Sequence, residues 1–105
     1  MKIVFDRLAR AELNDARVYY ELEVPGLGFQ FREEVKNGIR RIREYPDAWA
    51  KEKGDVRRCL LHKFPYKILY SIEEDHIYIL AIANCHRRPD YWIERILDRM
   101  QPDPG

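Results

Sequence analysis

Two apolar segments in the last third of the chain constrain its fold more than any other feature. They run from Tyr66 to Ile72 and from Ile77 to Cys85, and the polar residues 73–76 separate them. β-branched and aromatic residues favour strands, and a short polar turn between two such runs favours antiparallel pairing. A similar run, Val56–Phe64, precedes them. The sequence therefore predicts a three-stranded antiparallel meander.

The last of these strands is predicted to lie in the middle of the sheet, because it carries apolar residues on both faces. Strict alternation of side chains divides them into two sets. One set is Ile77, Ile79, Ala81 and Ala83, and the other is Tyr78, Leu80 and Ile82.

The first half of the chain predicts a short strand followed by a helical hairpin. Lys2–Phe5 is a short apolar run that stops at Asp6, a favourable N-cap residue. Apolar residues then recur at helical spacing in two series, which residues 25–28 interrupt. The first series is Ala9, Leu13, Ala16, Tyr20 and Val24, and the second is Leu27, Phe31, Val35, Ile39 and Ile42. The second helix is predicted to end at residues 45–47.

This order of elements predicts an α+β fold with one sheet and the helical hairpin packed on one face. The other face is expected to stay open. We expect Trp49 to anchor the connecting loop, and Tyr91–Met100 to form a short C-terminal helix. Residues 1–100 are predicted to be a single domain, and Gln101–Gly105, with two prolines, a flexible tail.

Composition excludes several functional classes. The 105 residues suit one domain, and a formal net charge of +1 argues against a uniformly basic nucleic-acid binder. Cys59 and Cys85 are expected to be buried thiols, and no Cys and His spacing indicates a zinc site. We therefore expect no metal and no cofactor. The chain shows neither a signal peptide nor an apolar segment long enough for a membrane, which favours the cytoplasm.

Positive charge is concentrated in two places. The stretch from residue 51 to residue 67 contains Lys51, Lys53, Arg57, Arg58, His62, Lys63 and Lys67, against Glu52 and Asp55. The second place follows the last strand, where His86, Arg87 and Arg88 precede Tyr91 and Trp92. Such a cluster is costly to bury, so it is a candidate functional surface. The alternatives are a charged sheet edge that prevents aggregation and aromatic residues that only pin the C-terminal helix.

The segment Phe64–Ile72, together with the apolar strand that ends at His86-Arg87-Arg88, resembles the RelE/ParE superfamily. These proteins are toxins of type II toxin-antitoxin modules, a group that includes plasmid stabilisation proteins. The resemblance covers Lys2 to about Ile96. It implies a cognate antitoxin as partner, whose disordered segment folds onto the toxin.

The resemblance also implies two alternative activities. RelE-like members are metal-independent endoribonucleases that cut mRNA in the ribosome, whereas ParE-like members inhibit DNA gyrase without catalysis. An inactive homologue that only binds an antitoxin is a third possibility. The long helical hairpin is more similar to ParE.

Under the RelE-like alternative, the resemblance implies a set of cationic and proton-transferring residues. Cations would stabilise the charge that builds on the phosphoryl oxygens, and a hydroxyl or imidazole would move protons. The catalytic candidates are Arg58, Lys67, Arg87 and Tyr91, and the RNA- or target-binding candidates are His62, Lys63, His86 and Arg88. Arg58 and His62 would share the open face if the strand alternates regularly through both. However, Leu60 stands where the RelE pattern has a second lysine, and the family tyrosine would align near Ile93.

Overall fold

The computed structural model describes residues 1–100, which form one mixed sheet and three α-helices. The elements are β1 (Lys2–Phe5), α1 (Arg7–Glu23), α2 (Leu27–Glu44), β2 (Lys51–Lys53), β3 (Val56–Leu60), β4 (Tyr66–Ile72), β5 (His76–Asn84) and α3 (Ile93–Met100). The strand order is β1-β5-β4-β3-β2, in which β1 is parallel to β5 and every other pair is antiparallel. The predicted α+β class is confirmed, as is the central position of β5. The predicted tail, Gln101–Gly105, lies outside the described residues.

The meander contains the three predicted strands and a fourth, β2, that precedes them and that the sequence does not predict. The additional strand, β2, consists of three residues with charged side chains and pairs with β3 across a turn at Gly54 and Asp55. Gly54 has a φ of 56°, a left-handed conformation that suits glycine. A strand this short and polar carries no apolar alternation that a sequence pattern could reveal.

The helical hairpin forms as predicted. The Asp6 side chain caps α1 by accepting the Leu8 N–H at 2.8 Å. At the other end of α1, the Glu21 carboxylate accepts the N–H groups of Gly26 and Gly28, which begin the second helix. Both helices pack against one face of the sheet, where Phe31, Val35 and Ile42 contribute to a buried core. The predicted connecting-loop anchor, Trp49, packs against the same core.

A β-bulge divides the side chains of β5 differently from the prediction. Leu69 of β4 pairs with Ala81, and the next residue, Tyr70, pairs with Ile79, so Leu80 is an extra residue in the ladder. The helix-side core therefore contains Ile77, Ile79 and Ile82, and the opposite core contains Leu80, Ala81 and Ala83. The predicted strict alternation is wrong beyond the bulge.

The second sheet face is not open over its whole area, which corrects another expectation. Trp92 is 2% exposed and packs with Ile93 and Ile96 of α3 on Leu69 and Leu80. Apolar side chains on both faces of the central strands require such a cover. Among residues 1–100, no helix is long and apolar enough to cross a membrane.

Candidate functional site

Arg58 and Lys67 lie on the same sheet face as the C-terminal segment, beyond the area that Trp92 covers. Arg58 is directly opposite Leu69, and Lys67 is directly opposite Ala83; both apolar partners belong to the core on the α3 side. Residues directly opposite each other in an antiparallel pair share a face. The structure therefore brings these two predicted site residues to one corner of the sheet.

Glu52 of β2 joins the two cations. Its carboxylate accepts a hydrogen bond from Lys67 Nζ at 2.6 Å, and Arg58 Nη1 lies 3.5 Å from its other oxygen. The side chains of Glu52 and Lys67 are only 16% and 22% exposed. The sequence indicates Glu52 only as a negative charge among cations, because its short polar segment carries no pattern that predicts a fourth strand.

A cavity of about 120 Å³ lies next to this pair, and we call it the cationic cavity. Its lining is formed by Glu52, Lys67, Ala83, Asn84, Cys85, Arg87, Arg88, Pro89, Asp90, Tyr91 and Trp92. Within residues 1–100, neither Arg87 nor Arg88 forms an ion pair. The Arg87 guanidinium instead stacks on the Tyr91 ring, 4.1 Å from its centroid. Cys85 is exposed, so only Cys59 is buried as predicted.

The hydroxyl of Tyr91 is hydrogen-bonded to Glu12 of α1. Its hydroxyl donates to Glu12 Oε2 at 2.6 Å, and Arg95 of α3 donates to both oxygens of that carboxylate. Burial, and then the hydrogen bond to the carboxylate, raise the pKa of the Tyr91 phenol far above its usual value. The phenol is therefore protonated at neutral pH and acts as a donor to Glu12. The sequence indicated no role for Glu12, which lies 79 positions away from Tyr91.

The remaining predicted site residues are dispersed. β3 ends at Leu60, and the backbone N–H of His62 donates to Glu34 of α2, on the helix side of the sheet. His62 therefore does not share the face of Arg58. Lys63 and His86 are exposed and do not line the cationic cavity. Arg88 is exposed and lines it.

The site contains cations that could bind an anionic ligand. It also contains the Glu52 carboxylate, which already contacts two of these cations, Lys67 and Arg58. Guanidinium and ammonium groups bind carboxylates and phosphates through the same charge-assisted hydrogen bonds. Lys67 donates to Glu52, and Arg58 donates to the Lys51 carbonyl oxygen at 3.1 Å as well as contacting Glu52 at 3.5 Å. Arg87 and Arg88 line the exposed wall of the cavity without an ion pair to any carboxylate of residues 1–100.

Comparisons with known proteins agree with this architecture. The family model described as "ParE toxin of type II toxin-antitoxin system, parDE" matches residues 3–89. A solved structure described as "Chromosomal ParDE TA system from P. aeruginosa" superposes with a TM-score of 0.71 at 19% sequence identity, covering 80% of this chain and 95% of the other. A comparison with curated proteins found no significant match. The family match spans most of the described chain, which therefore belongs to the ParE toxin family of type II toxin-antitoxin systems.

Proposed function

We propose that this chain is a toxin that arrests growth by binding and inhibiting DNA gyrase in the cytoplasm, without cutting mRNA. A cognate antitoxin would neutralise it. Of the two activities implied by the superfamily, this one agrees with the ParE family match. It also agrees with the contacts of the residues that a ribonuclease would need for catalysis, since carboxylates of the chain itself bind them.

The observation that carries the proposal is the internal engagement of the catalytic candidates. Lys67 is held by Glu52 at 2.6 Å, and Arg58 contacts the same carboxylate. A cation stabilises a developing phosphoryl charge only when its own charge is directed at that position. The single negative charge of Glu52 offsets one of the two positive charges that these residues would otherwise supply.

Tyr91, the candidate for proton transfer, is also bound by a carboxylate of the chain. Tyr91 donates to Glu12 and has a strongly raised pKa, so it is poorly suited to accept a proton from a 2′-hydroxyl at neutral pH. The imidazole of His62 lies on the helix side, near Glu34. These contacts favour a binding role for the surface over a catalytic one.

A conservative substitution distinguishes the two activities. Tyr91→Phe removes only the hydroxyl, and Tyr19→Phe, at an exposed position of α1, is the matched control. If the chain inhibits gyrase by binding, both variants arrest growth like the wild type and block DNA supercoiling by purified gyrase. Primer extension on a reporter mRNA should show no cuts for any of the three.

Cuts in translated codons by the wild type that disappear in Tyr91→Phe would refute the proposal and establish catalysis. Absence of growth arrest and of gyrase inhibition in the wild type, with soluble folded protein, would also refute it and favour the inactive homologue. Folding of each variant is checked by circular dichroism at matched expression.

A further inference from the structure

We propose that Glu52 is an internal competitor at an anion-binding site, and that a backbone phosphate of duplex DNA binds there in its place. The cations of the site are Lys67 and Arg58 on the sheet and Arg87 and Arg88 on the loop after β5. The choice of DNA rests on the proposed function, because gyrase acts on duplex DNA. The competition itself rests on the geometry alone.

The contacts of Glu52 are those that a phosphate would make. One carboxylate oxygen accepts from Lys67 Nζ and the other lies within reach of Arg58 Nη1. Carboxylate and phosphate oxygens accept the same charge-assisted hydrogen bonds. A phosphate at this position would also face Arg87 and Arg88, which line the same cavity.

The cavity has room for such a group. Its volume of about 120 Å³ is well above the roughly 10–15 Å³ that a single water molecule needs. The loop residues on its outer side, Cys85 to Asp90, are exposed. An anion can therefore approach from solvent without rearrangement of either core.

The strand that carries Glu52 is weakly held. β2 is an edge strand of three residues, and its register with β3 shifts between Lys51 and Lys53, at Glu52 itself. Its ion pair to the loop, between Lys53 and Asp90, joins side chains that are 55% and 45% exposed. Exposed ion pairs contribute little to stability. Glu52 can therefore leave Lys67 at a lower cost than a carboxylate on a central strand could.

Glu52→Gln tests the proposal, because it removes the competing charge and keeps the shape of the side chain. The matched control is Glu33→Gln, which removes one charge from an exposed ion pair with Lys36 on α2. Binding to a short fluorescein-labelled DNA duplex is measured by anisotropy over a range of salt concentrations. We expect Glu52→Gln to bind on the order of tenfold tighter than the wild type at each salt concentration, because no carboxylate has to be displaced from Lys67. The salt dependence should be similar for the two proteins, because both make the same phosphate contacts when bound. Glu33→Gln should differ little from the wild type.

A second variant tests whether any increase in DNA affinity arises at the proposed site. The double variant Glu52→Gln/Lys67→Met should lose the gain, because the proposed phosphate ligand is Lys67. Equal affinities of the wild type and Glu52→Gln would overturn the proposal, as would a gain that persists in the double variant or appears equally in Glu33→Gln. The same assay is run with a labelled single-stranded RNA of the same sequence, and a gain confined to the RNA would overturn the choice of DNA. The DNA-binding assay contains no gyrase, so its result does not depend on gyrase inhibition. The supercoiling assay tests gyrase inhibition separately.

Discussion

At the scale of single residues, the Glu12 carboxylate connects three elements outside the cores. β1 ends at Phe5, opposite Ile79, so the Ile82 N–H on that edge of β5 lies beyond the last residue that β1 pairs. Glu12 accepts this N–H at 3.1 Å and, with the same carboxylate, holds Tyr91 and Arg95. One side chain of α1 thereby fixes the position of α3 and of the aromatic wall of the cationic cavity.

Glu12→Ala is therefore expected to be strongly destabilising. It leaves Arg95, whose side chain is 10% exposed, without its counter-charge, and removal of one partner of a buried pair costs about 3–5 kcal/mol. Urea unfolding should show a loss of this size. Asp15→Asn, an exposed change on the same helix, should be nearly neutral. A midpoint for Glu12→Ala equal to that of Asp15→Asn would show that Glu12 does not hold α3.

At the scale of elements, the sequence predicts those whose apolar pattern is long enough to detect. α1 and α2 are predicted within a few residues because each carries a helical period, and β4 and β5 because each is a run of at least seven residues rich in β-branched and aromatic side chains. β2 was missed because its three residues have no period. The bulge at Leu80 was missed because apolar residues occupy both faces of β5, so alternation cannot reveal a shift.

The close approach of α1 and α2 depends on Gly28. A Cβ at this position would overlap the Arg17 carbonyl oxygen and lie 2.9 Å from the Glu21 Cβ. Gly28→Ala should therefore destabilise the fold by about 1–3 kcal/mol, as expected for overpacking at a rigid contact, despite the better helix propensity of alanine. Gln30→Ala, at an exposed position of the same helix, is the control and should leave the unfolding free energy almost unchanged. A Gly28→Ala variant as stable as that control would indicate that the hairpin adjusts without cost.

At the scale of the whole molecule, the candidate site combines segments that are distant in sequence. Arg87, Arg88 and Tyr91 are close together in the chain, and the sequence identified them as a cluster. The carboxylates of the site come from other elements: Glu12 of α1 accepts from Tyr91, and Glu52 of β2, which accepts from Lys67, lines the same cavity. The sequence therefore predicts the cations of the site. It does not predict that carboxylates offset part of their charge, because tertiary packing decides which carboxylates come close to them.

Buried phenols give the whole fold a predictable response to alkaline pH. Burial raises the pKa of Tyr70 and Tyr78 from the ordinary 10.0 to about 12, with a hydrogen bond from Tyr78 to Asp6 adding to the effect for that residue. Below pH 10 each phenol is protonated in both the folded and the unfolded chain, and its full contribution to stability is present. Between about pH 10 and about pH 12 the unfolded chain releases its proton first, so stability falls by up to about 1.4 kcal/mol per pH unit for each phenol.

Tyr70→Phe isolates one of these phenols. The Tyr70 hydroxyl donates to the Pro46 carbonyl, so its removal should cost about 1 kcal/mol near pH 9. Between about pH 9 and about pH 11 the variant should then lose less stability than the wild type, because one titrating group is absent. Urea unfolding at both pH values measures the two differences, and lysine and arginine titration cancels in the comparison. Parallel declines for the two proteins would show that Tyr70 ionises at the same pH in the folded and the unfolded chain.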